Sequence, residues 1–315
     1  MGGIRKLLIS LLLLFPLLAS GEVRQGDLPE GTRWYLHADL KQMRESPSGR
    51  ELYNWVDAEV FMEIHEEIGI DINRETDRLT AFSSTDQGTI VVLEGSISKE
   101  SQDKLLAIAA VESSLDTQSH KGKTYYHVTD YSESDPEREQ PHDQEIAFDG
   151  LDKEAFFSFA VKNKLIVASS SDEMRALLDS GGKIAGSAAH SGSLFVLTAD
   201  KTFVQAGLKT DELSDDDEGW QSNIIRNTEH VALMISESQD YIAIEAQLVS
   251  TDPQLTESIG GIINGLISLQ AFNSELDPDL RTLIQNTKIQ VQEKVLSIRT
   301  VVDPKQIVHK LGVND

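Results

Sequence analysis

Two histidines on strand-like segments have the most chemical potential in this chain. His37 lies in Arg33 to Asp39 (RWYLHAD) and His127 in Lys123 to Thr129 (KTYYHVT). Each sits on the strand face opposite its apolar neighbours, because successive side chains alternate across a strand. Depending on sheet order the two rings could approach each other, with Tyr35 or Asp130 close by. An imidazole beside a carboxylate can act as a general base on water, so His37, His127 and Asp130 are the candidate set for a hydrolase. No spacing supports the set, and it requires a strand order that brings the two rings together. His65 and Glu66 share a helical stretch but lack the second His that zinc proteases place one turn away.

Carboxylates are the other candidates. Asp215-Asp216-Asp217-Glu218 is the densest acidic run. Four adjacent carboxylates repel one another, so a divalent cation would relieve them, without defined geometry. That would suit a cation-dependent adhesin or scaffold, but a solvated loop anchored by Trp220 explains the run more simply. Asp71, Asn73, Glu75 and Asp77 alternate like the start of a calcium loop. Such a loop then needs Gly and Glu where this chain has Thr76 and Phe82, so a polar helix-to-strand connection is the better reading. Nucleophile elbows, phosphate-binding loops and dinucleotide fingerprints are absent from the sequence, and the chain contains no cysteine. No cofactor and no catalytic residue is therefore assigned.

These residues must be carried by elements whose order can be read from periodicity. After the strand at 33–39, a helical pattern runs from Gln42 to Ile68, broken near Ser46-Pro47-Ser48-Gly49. Its later stripe is Val56, Val60, Ile64 and Ile68, and Gly69 ends it. A hairpin follows, Leu79 to Ser84 and Thr89 to Ile97, and then a helix over Glu100 to Ser113 capped by Ser98. Asp130 to Asp149 is an acidic loop with two prolines. Phe156 to Leu178 reads as a hairpin turning near Lys162 and Asn163, then a helix with Ser170 and Glu173 at capping-box spacing.

The order then begins again. Gly192 to Asp200 (GSLFVLTAD) aligns with Gly31 to Asp39 (GTRWYLHAD), Val231 to Val249 aligns with Leu79 to Ile97, and the closing hairpins align with Leu165 against Val295. The offset shortens by about the length of the acidic loop, as an insertion in the first copy would require. Asp252-Pro253, Asp277-Pro278 and Asp303-Pro304 mark three helix starts, each an Asp cap before a Pro at the first helical position. The expectation is an α+β protein of two tandem repeats, 32–182 and 192–313. Each repeat is an antiparallel sheet with helices layered on one face, in the order β-α-ββ-α-ββ-α. The glycine-bearing helix Leu255 to Phe272 contains Gly261-x-x-x-Gly265, for which close packing on the second sheet is the expected reason.

Several phrases carry a family likeness. They are Gly69-Ile70-Asp71 leading through Asp77-Arg78-Leu79-Thr80 into a strand, Lys164 to Leu178, and the Leu-x-Ala-Asp strand. Together they resemble exported bacterial proteins of similar length that have no assigned activity. The resemblance covers most of the chain after the leader and implies this fold and an exported location, with no residue chemistry.

Arg5 and Lys6, the apolar run Leu7 to Leu18 and Ala19-Ser20-Gly21 describe a signal peptide over residues 1–21. The apolar run is shorter than the roughly 20 residues a membrane-spanning helix needs. The chain holds 52 acidic and 28 basic residues for a net charge of −24. Cleavage would remove two of the basic residues and no acidic one. Such a field repels nucleic acid and anionic membrane surfaces, so no nucleic-acid partner is expected, and no membrane span is expected after signal removal. The expected role is an exported, non-catalytic binding or interaction protein in the bacterial periplasm or outside the cell. Its ligand would lie in a groove between the copies, or a partner protein would use an exposed sheet edge.

Overall fold

The computed structural model describes residues 28–61, 71–84, 88–130, 154–184, 193–207, 224, 226–271 and 278–306. It is an α+β protein with antiparallel sheet. The chain divides into two compact units, Gly26–Lys41 with Val56–Ala189, and Gln42–Trp55 with His190–Asp315.

The first unit contains β1 (Thr32–Asp39), a short α3 (Ile72–Glu75), β2 (Thr76–Ser84), β3 (Thr89–Gly95) and α4 (Lys99–Glu112). It continues through β4 (Ser113–His120), β5 (Lys123–Asp130), β6 (Glu154–Ser158), β7 (Lys164–Ala168) and α5 (Ser171–Ser180). The helices α1 (Leu40–Glu45) and α2 (Pro47–Val56) and a π-helical turn at Asp57–Phe61 lie between β1 and α3 in sequence. The strands run in the order β1-β2-β3-β7-β6-β5-β4, with every pair antiparallel.

The register explains the core. Tyr35, Phe82, Ile90, Ala168 and Phe156 face one another across five strands, and all are buried. On the same face Tyr125 accepts a hydrogen bond from Arg175 Nε of α5 at 3.3 Å, so α5 lays Met174, Leu177 and Leu178 over this end of the sheet. The helix starts where expected: Ser170 Oγ accepts the Glu173 N–H at 3.3 Å. The reciprocal half of the capping box does not form. The Glu173 carboxylate takes the Ser169 hydroxyl instead, at 3.2 Å. Gly181, at φ 68°, closes the helix in the left-handed conformation that a side chain disfavours.

One expected feature is present in part, and one feature differs from the sequence reading. The helical stretch breaks at Ser46 as expected, with Ser46 Oγ accepting the Gly49 N–H at 2.8 Å; of its later stripe, Ile64 and Ile68 lie outside the described residues. The difference is β4. SSLDTQSH holds one aliphatic residue, so no apolar alternation announces a strand. The turn that creates it is Lys121-Gly122, with φ of 49° and 78°, the two positive values of a two-residue hairpin turn. Between α4 and the closing hairpin the first unit therefore carries a complete extra hairpin, β4–β5, rather than a lone strand.

The second unit contains β8 (Ser193–Asp200), α6 (Lys201–Gly207), β9 (Thr228–Ser238), β10 (Tyr241–Ser250), α7 (Pro253–Ala271), α8 (Pro278–Asn286), β11 (Lys288–Gln292) and β12 (Val295–Val302). Its order is β11-β12-β10-β9-β8. Position for position this is the path β6-β7-β3-β2-β1 of the first unit. Asp252 and Asp303 cap as expected, accepting the N–H of Gln254 at 2.9 Å and of Lys305 at 3.0 Å. Asp277 lies outside the described residues. In β12 alternate residues Leu296, Ile298, Thr300 and Val302 are buried. Ile259 of α7 packs on Leu296 and Ile298, and Thr300 Oγ1 bonds Leu283 O of α8, so both helices cover the same face. Gln42–Trp55 belongs to this unit, and Ser48 Oγ donates to Glu237 Oε1 at 2.8 Å.

Candidate interaction surface

His37 and His127 both lie on the face of the first sheet that bears Tyr35, but the strand order keeps them apart. Four strands (β2, β3, β7 and β6) separate β1 from β5, which at about 4.8 Å per strand places the rings roughly 24 Å apart. Each ring has a local structural partner. His37 Nδ1 lies 2.9 Å from Thr80 Oγ1, its cross-strand neighbour. His127 stacks on Phe156 with ring centres 4.4 Å apart and planes 3° from parallel, and its Nε2 lies 3.1 Å from Glu154 Oε2. Asp130 ends β5 opposite Ser113. The three residues do not assemble into a hydrolytic site. Tyr35 is wholly buried, and burial pushes its phenol pKa up. Asp215, Asp216, Asp217 and Glu218 lie outside the described residues. Among the described residues no group of three or more His, Asp or Glu is placed to hold a metal ion.

The other polar constellations in the first unit serve structure. Asp71 Oδ1 accepts the Arg74 N–H at 3.1 Å and Glu75 Oε1 accepts the Ser98 N–H at 3.2 Å, so the calcium-like spacing is a capped connection. Asp39, Arg78, Glu94 and Lys164 stand directly opposite one another on four adjacent strands. Their signs alternate, with contacts of 3.0, 3.5 and 2.5 Å. Burial raises the Glu94 pKa, but the hydrogen bond and charge of Lys164, aided by Arg78, outweigh it and hold the carboxyl below its ordinary value. Lys164 Nζ also donates to Gly182 O at 3.0 Å, which ties the ladder to the end of α5.

In the second unit one sheet face is unusually polar for a buried surface. Thr198, Glu245 and Gln247 are buried there, with Arg299 at 3.1 Å from Glu245, and His230 stands opposite Asp200. Burial lowers the His230 pKa, against the opposing pull of Asp200. The fold therefore favours neutral imidazole, while the unfolded chain protonates near the ordinary value of 6.5. This group's contribution is complete above pH 6.5 and is lost as pH falls from there toward the lower folded pKa. His230→Gln should flatten that part of the profile: between pH 7.5 and 5.5, urea midpoints should fall less in the variant than in the parent. Equal falls would show that His230 titrates as it does in the unfolded chain.

The surface that stands out is on α7. This helix of 19 residues contains one charged side chain, Glu257, in a chain of net charge −24. Its inner stripe packs as the sequence suggested: Ile259 is buried, and a Cβ on Gly260 would come within 2.6 Å of Val291 Cγ2. Gly261 and Gly265 are different. Nothing lies within 4 Å of a Cβ placed on either, so close packing on the sheet is not their reason. Beside them Ile262, Leu266 and Leu269, spaced at four and three residues, are 46, 54 and 69 % exposed. A helix with one apolar stripe needs one neighbour, and α7 has a second stripe turned outward. No helix among the described residues is long and apolar enough to cross a membrane.

The sequence matches no protein-family model and no curated protein. Among solved structures, the chain is similar to crystal forms of TP0453, a Treponema protein. Crystal form III aligns at 12 % identity over 91 % of this chain and 96 % of that one, with a TM-score of 0.42. Crystal form IV aligns at 12 % identity over 91 % and 95 % with a TM-score of 0.43, and form I at 13 % over 94 % and 98 % with a TM-score of 0.41.

Proposed function

We propose that this chain is an exported, non-catalytic binding protein, built from two copies of one duplicated path (32–182 and 192–313), that engages a partner protein through the outward stripe of α7. The observation that carries this reading is the exposure of Ile262, Leu266 and Leu269 on an almost uncharged helix. A strongly acidic surface keeps a protein dispersed, and a contiguous apolar strip retained within it has a use in contact. The partner would offer an apolar groove able to take side chains at that spacing, as helix-in-groove recognition does. The signal-peptide pattern at 1–21 supports export to the bacterial periplasm or beyond.

The test places a photoreactive residue at Leu266 in the full-length chain, expressed with its leader in a bacterial host that exports it. A discrete adduct with one protein is expected in the exported fraction, lost when Ile262→Lys and Leu269→Lys are added. The same probe at Lys104, on exposed α4, should give none. A diffuse smear from both positions, or no adduct from Leu266, would overturn the reading.

A further inference from the structure

We propose that β4 is a strand-addition site for an extended, basic peptide segment, an interaction separate from the α7 stripe. β4 is the edge strand of the first sheet, and among the described residues nothing pairs with its outer side. It runs eight residues against β5 in unbroken register, Ser113↔Asp130 through His120↔Lys123. Natural sheets guard such edges with lysines, prolines, bulges or very short strands. Ser113–His120 has no Lys, Arg or Pro, no bulge, and full length. The edge strand of the second unit is guarded by comparison: β11 is five residues long and opens on Lys288.

The hairpin is also held ready. Ser113 caps α4, its Oγ donating to Ala109 O at 2.5 Å. At the other end, His120 Nε2 and Lys121 Nζ reach Asp179 of α5 at 3.1 and 2.7 Å, and Lys123 Nζ donates to Leu178 O. A strand fixed at both ends loses little freedom when another is added. Because the two-residue turn closes on His120↔Lys123, alternate residues Leu115, Thr117 and Ser119 direct their N–H and C=O away from β5.

The side chains then select the guest. Asp116, exposed at the middle of the strand, would stand opposite a residue of the incoming segment on one face. On the other face Leu115 continues an apolar patch formed by Val128 and by Tyr126 stacked on Phe157 at 5.1 Å. A segment alternating Lys or Arg with apolar residues fits both faces, and the overall charge of −24 attracts it. The same charge opposes pairing with the β4 of a second copy.

The probe is the blocked peptide acetyl-Val-Lys-Val-Lys-Val-Lys-Val-amide, titrated into the mature full chain and followed by amide resonances and hydrogen exchange. Protection is expected at Leu115, Thr117 and Ser119. Thr117→Pro removes an outward donor without taking a bond from the β4–β5 ladder, and should weaken binding at least about tenfold. Asp116→Lys should transfer preference to the corresponding Val-Glu peptide. If Thr117→Pro does not fold, a peptide N-methylated at alternate residues tests the same backbone bonds on the parent chain and should not bind. Leu266→Lys should leave peptide binding unchanged, which keeps this outcome distinct from the α7 reading. Absence of protection, binding indifferent to Thr117→Pro or to N-methylation, or concentration-dependent dimers abolished by Thr117→Pro would each overturn the proposal.

Discussion

Gly95→Ala is expected to destabilise the first unit by about 3 kcal/mol, at the upper end of what one added methyl costs in a packed interior. Gly95 ends β3 beside the junction of α3 and β2. A Cβ built there would lie 2.0 Å from Glu75 O, 2.8 Å from Thr76 Cα and 2.9 Å from Glu75 C. These are all backbone atoms, so no rotamer change relieves the overlap. Moving the strand away instead would break the Gly95 N–H bond to Asn163 O at 2.9 Å and disturb the Thr76↔Gly95 pairing. Urea unfolding should show a lower midpoint with an unchanged slope. Gly261→Ala, on an open helix surface, is the control and should gain roughly 0.5–1 kcal/mol from helix preference alone. A parent-like midpoint for Gly95→Ala would mean that the α3–β2 junction does not press on β3.

Leu178→Ala should cost about 2–5 kcal/mol, the range for deleting a buried leucine where the surroundings only partly collapse. Leu178 is fully buried on the inner face of α5, with Met174 of the same helix and Ile166 of β7 also inaccessible. Domain stabilities are commonly about 5–15 kcal/mol, so the loss is large enough to depopulate the fold near its melting range. Val111→Ala supplies the contrast. Val111 is 80 % exposed on α4, and its truncation should change stability by less than about 0.5 kcal/mol. Thermal and urea midpoints for the pair decide the matter. Similar losses from both would remove α5 from the core.

These two sites show what a sequence can and cannot disclose. The alternation around Trp34, Leu36 and Ala38, the Ser98 and Ser170 caps and the Asp-Pro starts at Asp252 and Asp303 are local, and local chemistry is written in consecutive residues. Gly95 was unremarkable in the sequence because its neighbour is the backbone of Glu75, which only the folded path brings near. The ladder from Asp39 to Lys164 was hidden for the same reason: β3 pairs with β7, not with the strands nearest in sequence. β4 was missed because its Ser, Thr and Gln residues carry no apolar period, although Lys121-Gly122 was a usable turn signal.

The candidate site fared differently from the fold. Alternation puts His37 and His127 on the face opposite Trp34, Leu36 and Val128, but that face is itself core, bearing Tyr35, Phe82 and Phe156. Strand order, which no alternation encodes, puts four strands between the two rings. The α7 stripe was legible as apolar and glycine-rich. Which of its two stripes meets the sheet depends on Leu296 and Val291, some thirty residues further along the chain.

The membership of Gln42–Trp55 bears on how the chain can be cut. A fragment beginning at His190 would lack a helical piece of its own unit, including the Ser48 donor to Glu237, so expressing that half alone should yield an incomplete body. A permuted gene that restores residues 42–55 to that half is the arrangement that would let it be purified and studied by itself.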